Sequence, residues 1–194
     1  MHIIIKFTTL IIVFILIISC SRTITRIDPN QQVDLSGRWN DTDSKLVAGE
    51  MIKDVINRPW RSDFNDAFNR KPVVIVGVFS NKTSEHIEPQ TFIKDIEREF
   101  INSGLVRVVQ NDVFREKLRE ERAQQGEFAS VETQAKWGRE LGADFMMFGL
   151  LTSIVDTYKK EKTILYKINL ELADLETNEK VWLGDKEIKK FIKN

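Results

Sequence analysis

Apolar residues recur at helical spacing over residues 43–57, where Leu46, Val47, Met51, Ile52, Val55 and Ile56 share one face. Asp43 or Ser44 stands where a helix cap belongs. Pro59 opens a short second helix in which Trp60, Phe64 and Phe68 lie four apart on one side. A stripe of this kind packs a core, with a partner groove as the other use. The pattern changes after Lys71 and Pro72. Residues 73–79, VVIVGVF, form a continuous apolar run, which predicts a central strand covered on both faces. Polar residues 81–84 then predict a loop at its carboxyl end. Pro89 starts a helix aligning Phe92, Ile93, Ile96 and Phe100, and Gly104 supplies its left-handed stop.

Residues 105–109 predict a second strand. Residues 111–123 predict a charged helix with a solvated face. Ser130 can cap a further helix over 131–141, carrying Trp137 and Leu141 and ended by Gly142. Residues 143–155 predict a long strand with a bulge at Gly149. Ile164, Tyr166, Ile168, Leu170 and Leu172 alternate with Lys167, Asn169 and Glu171, the pattern of a strand with one wet face. Residues 176–179 make a turn, and 180–188 return as its hairpin partner. Helix–strand alternation followed by strands predicts an α/β (α+β) fold. It has a single mixed β-sheet flanked by helices on both faces and ends in an antiparallel hairpin.

The amino-terminal segment has a different pattern. Lys6 precedes an apolar run over residues 7–18, interrupted by Thr8 and Thr9. The run has signal-peptide length and falls short of the roughly 20 residues that span a bilayer. It ends in Ile17, Ile18, Ser19 and Cys20, which resembles a bacterial lipobox. Residues 1–19 therefore read as a lipoprotein signal peptide. Cys20 reads as the lipidated residue, 20–33 as that cysteine with a short polar tether, and 34–194 as the globular domain. About 13 residues of flexible chain span roughly 20 Å. Ser21, where a retention signal would place Asp, favours the outer membrane with the domain facing the periplasm. Sorting signals vary between bacteria, so surface exposure stays open.

Composition narrows the chemistry. Lys+Arg and Asp+Glu are 29 each, so no net charge draws the chain to nucleic acid. The single cysteine excludes an internal disulfide and a Cys-based zinc cluster. Without the leader, His86 is the one histidine left, and between Glu85 and Glu88 it reads as a loop residue. Asp41 and Asp43 read as helix-capping groups rather than an acid–base pair. Phosphate-loop and nucleophile-elbow motifs are absent. The expectation is a binding protein, not an enzyme, with no metal, cofactor or small-molecule substrate. A cell-wall hydrolase is the enzymatic alternative.

Three stretches together resemble one family. They are 34–44, DLSGRWNDTDS; 71–77, KPVVIVG, followed by 81–87, NKTSEHI; and 140–145, ELGADF, with 174–177, DLET, and 179–182, EKVW. In this order, behind a lipobox, they resemble the LpoB family of penicillin-binding protein activators. The resemblance implies a fold like the TolB N-terminal domain. It also implies docking on a bifunctional penicillin-binding protein, a peptidoglycan synthase, and activating it from the outer membrane without catalytic residues. An envelope scaffold or transport-associated lipoprotein with no effect on glycan synthesis is the alternative. Studied members carry a long tether, and this one is short. Arg38, Trp39, Asn40 and Asp41 form the candidate partner patch, because a tryptophan beside an arginine suits an interface hot spot. The other reading packs Trp39 across the sheet and spends its polar neighbours on capping the first helix.

Overall fold

The computed structural model describes residues 23–28, 31–128 and 140–193. The signal peptide, Cys20 and most of the helix expected over 131–141 lie outside the described residues. Leu141 and Gly142 are described and are not helical. Val33–Asn194 forms one compact unit and contains the entire hydrophobic core found among the described residues, so this unit has what it needs to fold alone.

Helix α1 (Asp41–Ile56) starts two residues before the expected boundary because its cap is Asn40. Asn40 Oδ1 accepts a hydrogen bond from the Asp43 amide at 3.1 Å, and the Asp43 carboxylate accepts one from the Asn40 amide at 2.9 Å. This reciprocal box satisfies two amides that the first turn cannot pair. Helix α2 (Pro59–Phe68) buries Trp60 and Phe64 edge-on against Phe145, with centroids 4.9 and 5.4 Å away. The stripe is core packing over those two residues, and Phe68 at its end is exposed.

Strand β1 (Val73–Asn81) leads through a loop to helix α3 (Pro89–Ser103), capped by Glu88 and ended by Gly104 at φ 64°. Strand β2 (Arg107–Val109) has three residues, fewer than the pattern predicts. Helix α4 (Asp112–Phe128) follows, then three long strands: β3 (Phe145–Tyr158), β4 (Glu161–Asp174) and β5 (Lys180–Lys193). They make one sheet in the order β2-β1-β3-β4-β5. β1 is parallel to β2 and β3, and the β3–β4–β5 meander is antiparallel. The sheet is therefore open and mixed, as the pattern predicts. The β1–α3–β2 crossover steps one way and β2–α4–β3 steps back over β1. Parallel crossovers are right-handed as a rule, and two of them in opposite directions put α3 and α4 on opposite faces.

The core lies between the α1–α3 layer and one sheet face. Val47, Ile52, Phe92, Ile96 and Phe100 meet Met147, Leu151, Ile164, Ile168 and Leu172 there, all almost fully buried. Burying one such side chain stabilises by about 2 kcal/mol. Val73 and Ile75 point to the other face and are buried too, as a strand covered on both sides requires.

The expected bulge is not at Gly149. Pairing of β3 with β4 runs unbroken through Gly149↔Leu170, and the irregularity falls in β1 between Val76 and Phe79. It turns Val78 out to solvent. Gly149 is needed for another reason, because a Cβ there would collide with the Phe79 ring.

Candidate functional site

The segment that carries Arg38, Trp39, Asn40 and Asp41 crosses the end of β5 and enters α1. Its position follows from a set of contacts between residues far apart in the chain. Asn81 Oδ1 accepts from the Thr83 amide at 2.9 Å and from its hydroxyl at 2.8 Å, while Asn81 Nδ2 donates to the Glu85 carbonyl at 2.8 Å. This Asx-type turn fixes the loop after β1. It aims the Glu85 carboxylate at Tyr166 on β4, whose hydroxyl donates to it at 2.7 Å. The Trp39 amide donates to both Glu85 Oε2 and Tyr166 Oη at 3.1 Å. Burial pushes the Tyr166 hydroxyl pKa well up, and the bond to Glu85 adds to it.

The Trp39 side chain is held as well. Its ring meets Tyr166 edge-on at 5.5 Å, and Nε1 donates to Ser44 Oγ at 2.8 Å. Lys190 closes the assembly from β5. Its ammonium reaches Asp34 Oδ1 at 2.7 Å, Asp43 Oδ2 at 2.6 Å and the Arg38 carbonyl at 2.9 Å. Burial opposes that charge, but the bonds to Asp34 and Asp43 outweigh it and hold the Lys190 pKa above its ordinary value. Gly37 passes directly over Ile192.

This arrangement sorts the four patch residues. Trp39 is half-buried and positions the segment, and Asn40 caps α1. The Arg38 and Asp41 side chains are exposed. The exposed part of the patch is thus a cation and a carboxylate.

A second feature was not anticipated from the sequence. A cavity of about 720 Å³ opens at the carboxyl end of β1, beside the first turns of α3 and α4. Ile75, Gly77, Phe79, Ile93, Val113 and Met146 line it, and Glu88, Asp112 and Arg115 also border it. It sits where strand order reverses around β1, the place open parallel sheets leave a crevice. Its size and apolar lining suit one apolar group. Locating it requires the strand order, which periodicity alone does not provide.

The protein is an α+β domain with an open five-stranded mixed sheet and four helices among the described residues. It belongs to the family described as the peptidoglycan-synthase activator LpoB, whose model matches residues 43–188. No curated protein matches it. Solved structures similar to it include the LpoB C-terminal domain from Escherichia coli. That likeness has 15% identity and a TM-score of 0.43, covering 78% of this chain and 99% of that one. The LpoB C-terminal domain from Salmonella enterica is similar at 14% identity and TM-score 0.36, covering 67% and 93%. Lipoprotein GNA1162 from Neisseria meningitidis is similar at 11% identity and TM-score 0.38, covering 63% and 84%.

Proposed function

We propose that this protein is a lipoprotein held in the outer membrane by acyl chains on Cys20, and that it docks on a bifunctional penicillin-binding protein and raises its activity. The observation that carries this reading is membership of the activator family across residues 43–188. Activation is allosteric. The domain binds the active synthase conformation better than the resting one and shifts the population by that difference in affinity. Arg38 and Asp41 contact the synthase, while Trp39 and Asn40 hold the segment that presents them. The tether gives the domain an r.m.s. distance of roughly 20 Å from its anchor, so the synthase reaches toward the membrane face.

The test uses residues 33–194 and the same organism's synthase. Glycan-chain polymerisation is recorded with and without the domain, alongside binding. Saturable acceleration supports the reading, and Arg38→Glu then weakens it without lowering the domain's thermal midpoint. Binding without acceleration makes the protein a scaffold and overturns the activator role. Soluble muropeptides released by the domain alone would replace it with a hydrolase.

A further inference from the structure

The tip of the β3–β4 hairpin and the end of β5 form a surface unlike the rest of the domain. Tyr158 closes β3, Lys159 and Lys160 make the turn, and Lys193 closes β5. Pairing places Ile154 beside Leu165 and Lys189, and Tyr158 beside Glu161 and Lys193. Residues directly opposite in antiparallel strands share a face. Ile154, Tyr158 and Phe191 therefore lie on one side of the sheet, on the face away from α1 and α3. They are 69%, 70% and 63% exposed. Lys159, Lys160, Lys189 and Lys193 surround them and are exposed. Of the carboxylates here, Glu161 is taken up by Lys193 at 3.2 Å, and Asp156 is the other on this stretch. The whole chain carries equal numbers of acidic and basic residues, so this lysine surplus is a local asymmetry.

The chain also enters the compact unit at this end. Asp34 is bonded to Lys190, and Gly37 lies on Ile192, next to the last residues of β5. The point where the tether joins the compact unit is therefore at the same end of the sheet as the hairpin tip, and with the proposed anchor only about 13 residues away the tip is within reach of the bilayer.

We propose that the β3–β4 tip, with Tyr158, Phe191 and the lysines around them, rests on the anionic phospholipid surface to which the protein is tethered and so fixes the domain's orientation. Lysine ammonium groups meet lipid phosphates, and the aromatic rings enter the headgroup layer. The inference rests on the proposed lipid anchorage for its geometry. A contact this small is weak alone and is made effective by the tether, which raises the local concentration to about millimolar.

The test substitutes chemical coupling for acylation. The chain from residue 20 is attached through Cys20, its sole cysteine, to maleimide lipid in two kinds of vesicle. One is phosphatidylcholine and the other contains about 30% phosphatidylglycerol. Amine modification is read by mass spectrometry at Lys159, Lys160, Lys189 and Lys193, with Lys45 and Lys71 as references. The expected result is several-fold protection of the tip lysines on anionic vesicles only, relieved by salt. In Lys159→Gln/Lys160→Gln the equilibrium for contact with the anionic surface falls about 30-fold, which removes the several-fold protection of Lys189 and Lys193. Equal modification on both vesicles, or protection on neutral vesicles too, overturns the proposal. Protection appearing only when a partner protein is added assigns the tip to that partner instead and overturns it as well. Because the anchor is chemical, a negative result leaves lipidation and synthase activation untouched. Absence of acyl label on Cys20 in cells removes the anchor without changing the vesicle result.

Discussion

Tyr166 and Glu85, 81 residues apart in sequence, share a 2.7 Å hydrogen bond beneath the Trp39 backbone. The bond joins β4, the loop after β1 and the entry to α1. Tyr166→Phe keeps the ring packing and removes one donor from a carboxylate that still receives the Trp39 amide. Losing a hydrogen bond to a charged group costs about 2 kcal/mol. A lower urea midpoint with an unchanged slope is the expected outcome.

The same contact makes stability depend on alkaline pH. The Tyr166 pKa is raised in the folded state, so the neutral phenol is favoured there. Its contribution is complete below the unfolded value, about 10, and declines as pH rises through the folded value. Lys190, also raised, acts with the same sign. Denaturation series from neutral pH upward should show level stability to about pH 10, then a fall. In Tyr166→Phe that fall becomes shallower. An identical fall in the variant would assign the effect elsewhere.

Lys190→Met tests the closure from β5. Methionine keeps the stem packed but leaves Asp43, 7% exposed at its side chain, without its cation. Removing one member of a buried pair costs about 3 kcal/mol. Hydrogen exchange should quicken over residues 34–40 more than in β3, because those residues depend on this ammonium for their attachment.

Much of the architecture is legible from periodicity because burial imposes it. Phe92, Ile93, Ile96 and Phe100 had to share a helix face, and Val73 to Val76 had to lie inside, as they do. Cap choice was not legible. Residues 40–44 all carry cap-forming side chains, and only the entry direction of the chain selects Asn40. Phe68 and Val78 look like core residues in sequence, yet a helix end and a strand irregularity expose them. For Trp39 the sequence offered interface or packing. The packing use depends on Tyr166 and Glu85, whose proximity no spacing rule reveals. The cavity depends likewise on β1 lying between β2 and β3.

Gly149→Ala probes the close approach that replaced the expected bulge. The new methyl group would meet the Phe79 ring, which packs on Phe92 at 4.6 Å. Overpacking of this kind costs about 2 kcal/mol. Shrinking the ring by Phe79→Leu in the same chain should recover part of the loss. The double variant should then be more stable than the sum of single effects predicts. Strict additivity would show that the ring moves aside freely.

At acidic pH the relevant link is between α1 and β5. Asp54 accepts from Arg58 at 2.6 Å and from Trp182 Nε1 at 2.9 Å. The Arg58 bond holds its pKa below the ordinary aspartate value against the opposing effect of burial, and Trp182 contributes in the same direction as Arg58. A depressed folded pKa gives stability that is complete above the unfolded value, near 4, and lost as pH falls through the folded one. Trp182→Phe keeps most of the packing under α1 and removes one donor. It should weaken the acid dependence without abolishing it, because Arg58 remains. Asp54→Asn should remove the Asp54 contribution entirely, since the amide does not titrate, and leave the smaller slope that Glu140 supplies. Urea midpoints between pH 7 and pH 3, about the span of that titration, separate the two variants. An acid slope unchanged in Asp54→Asn would place the responsible carboxylate elsewhere, with Glu140, held low by its bond to Arg119, the next to substitute.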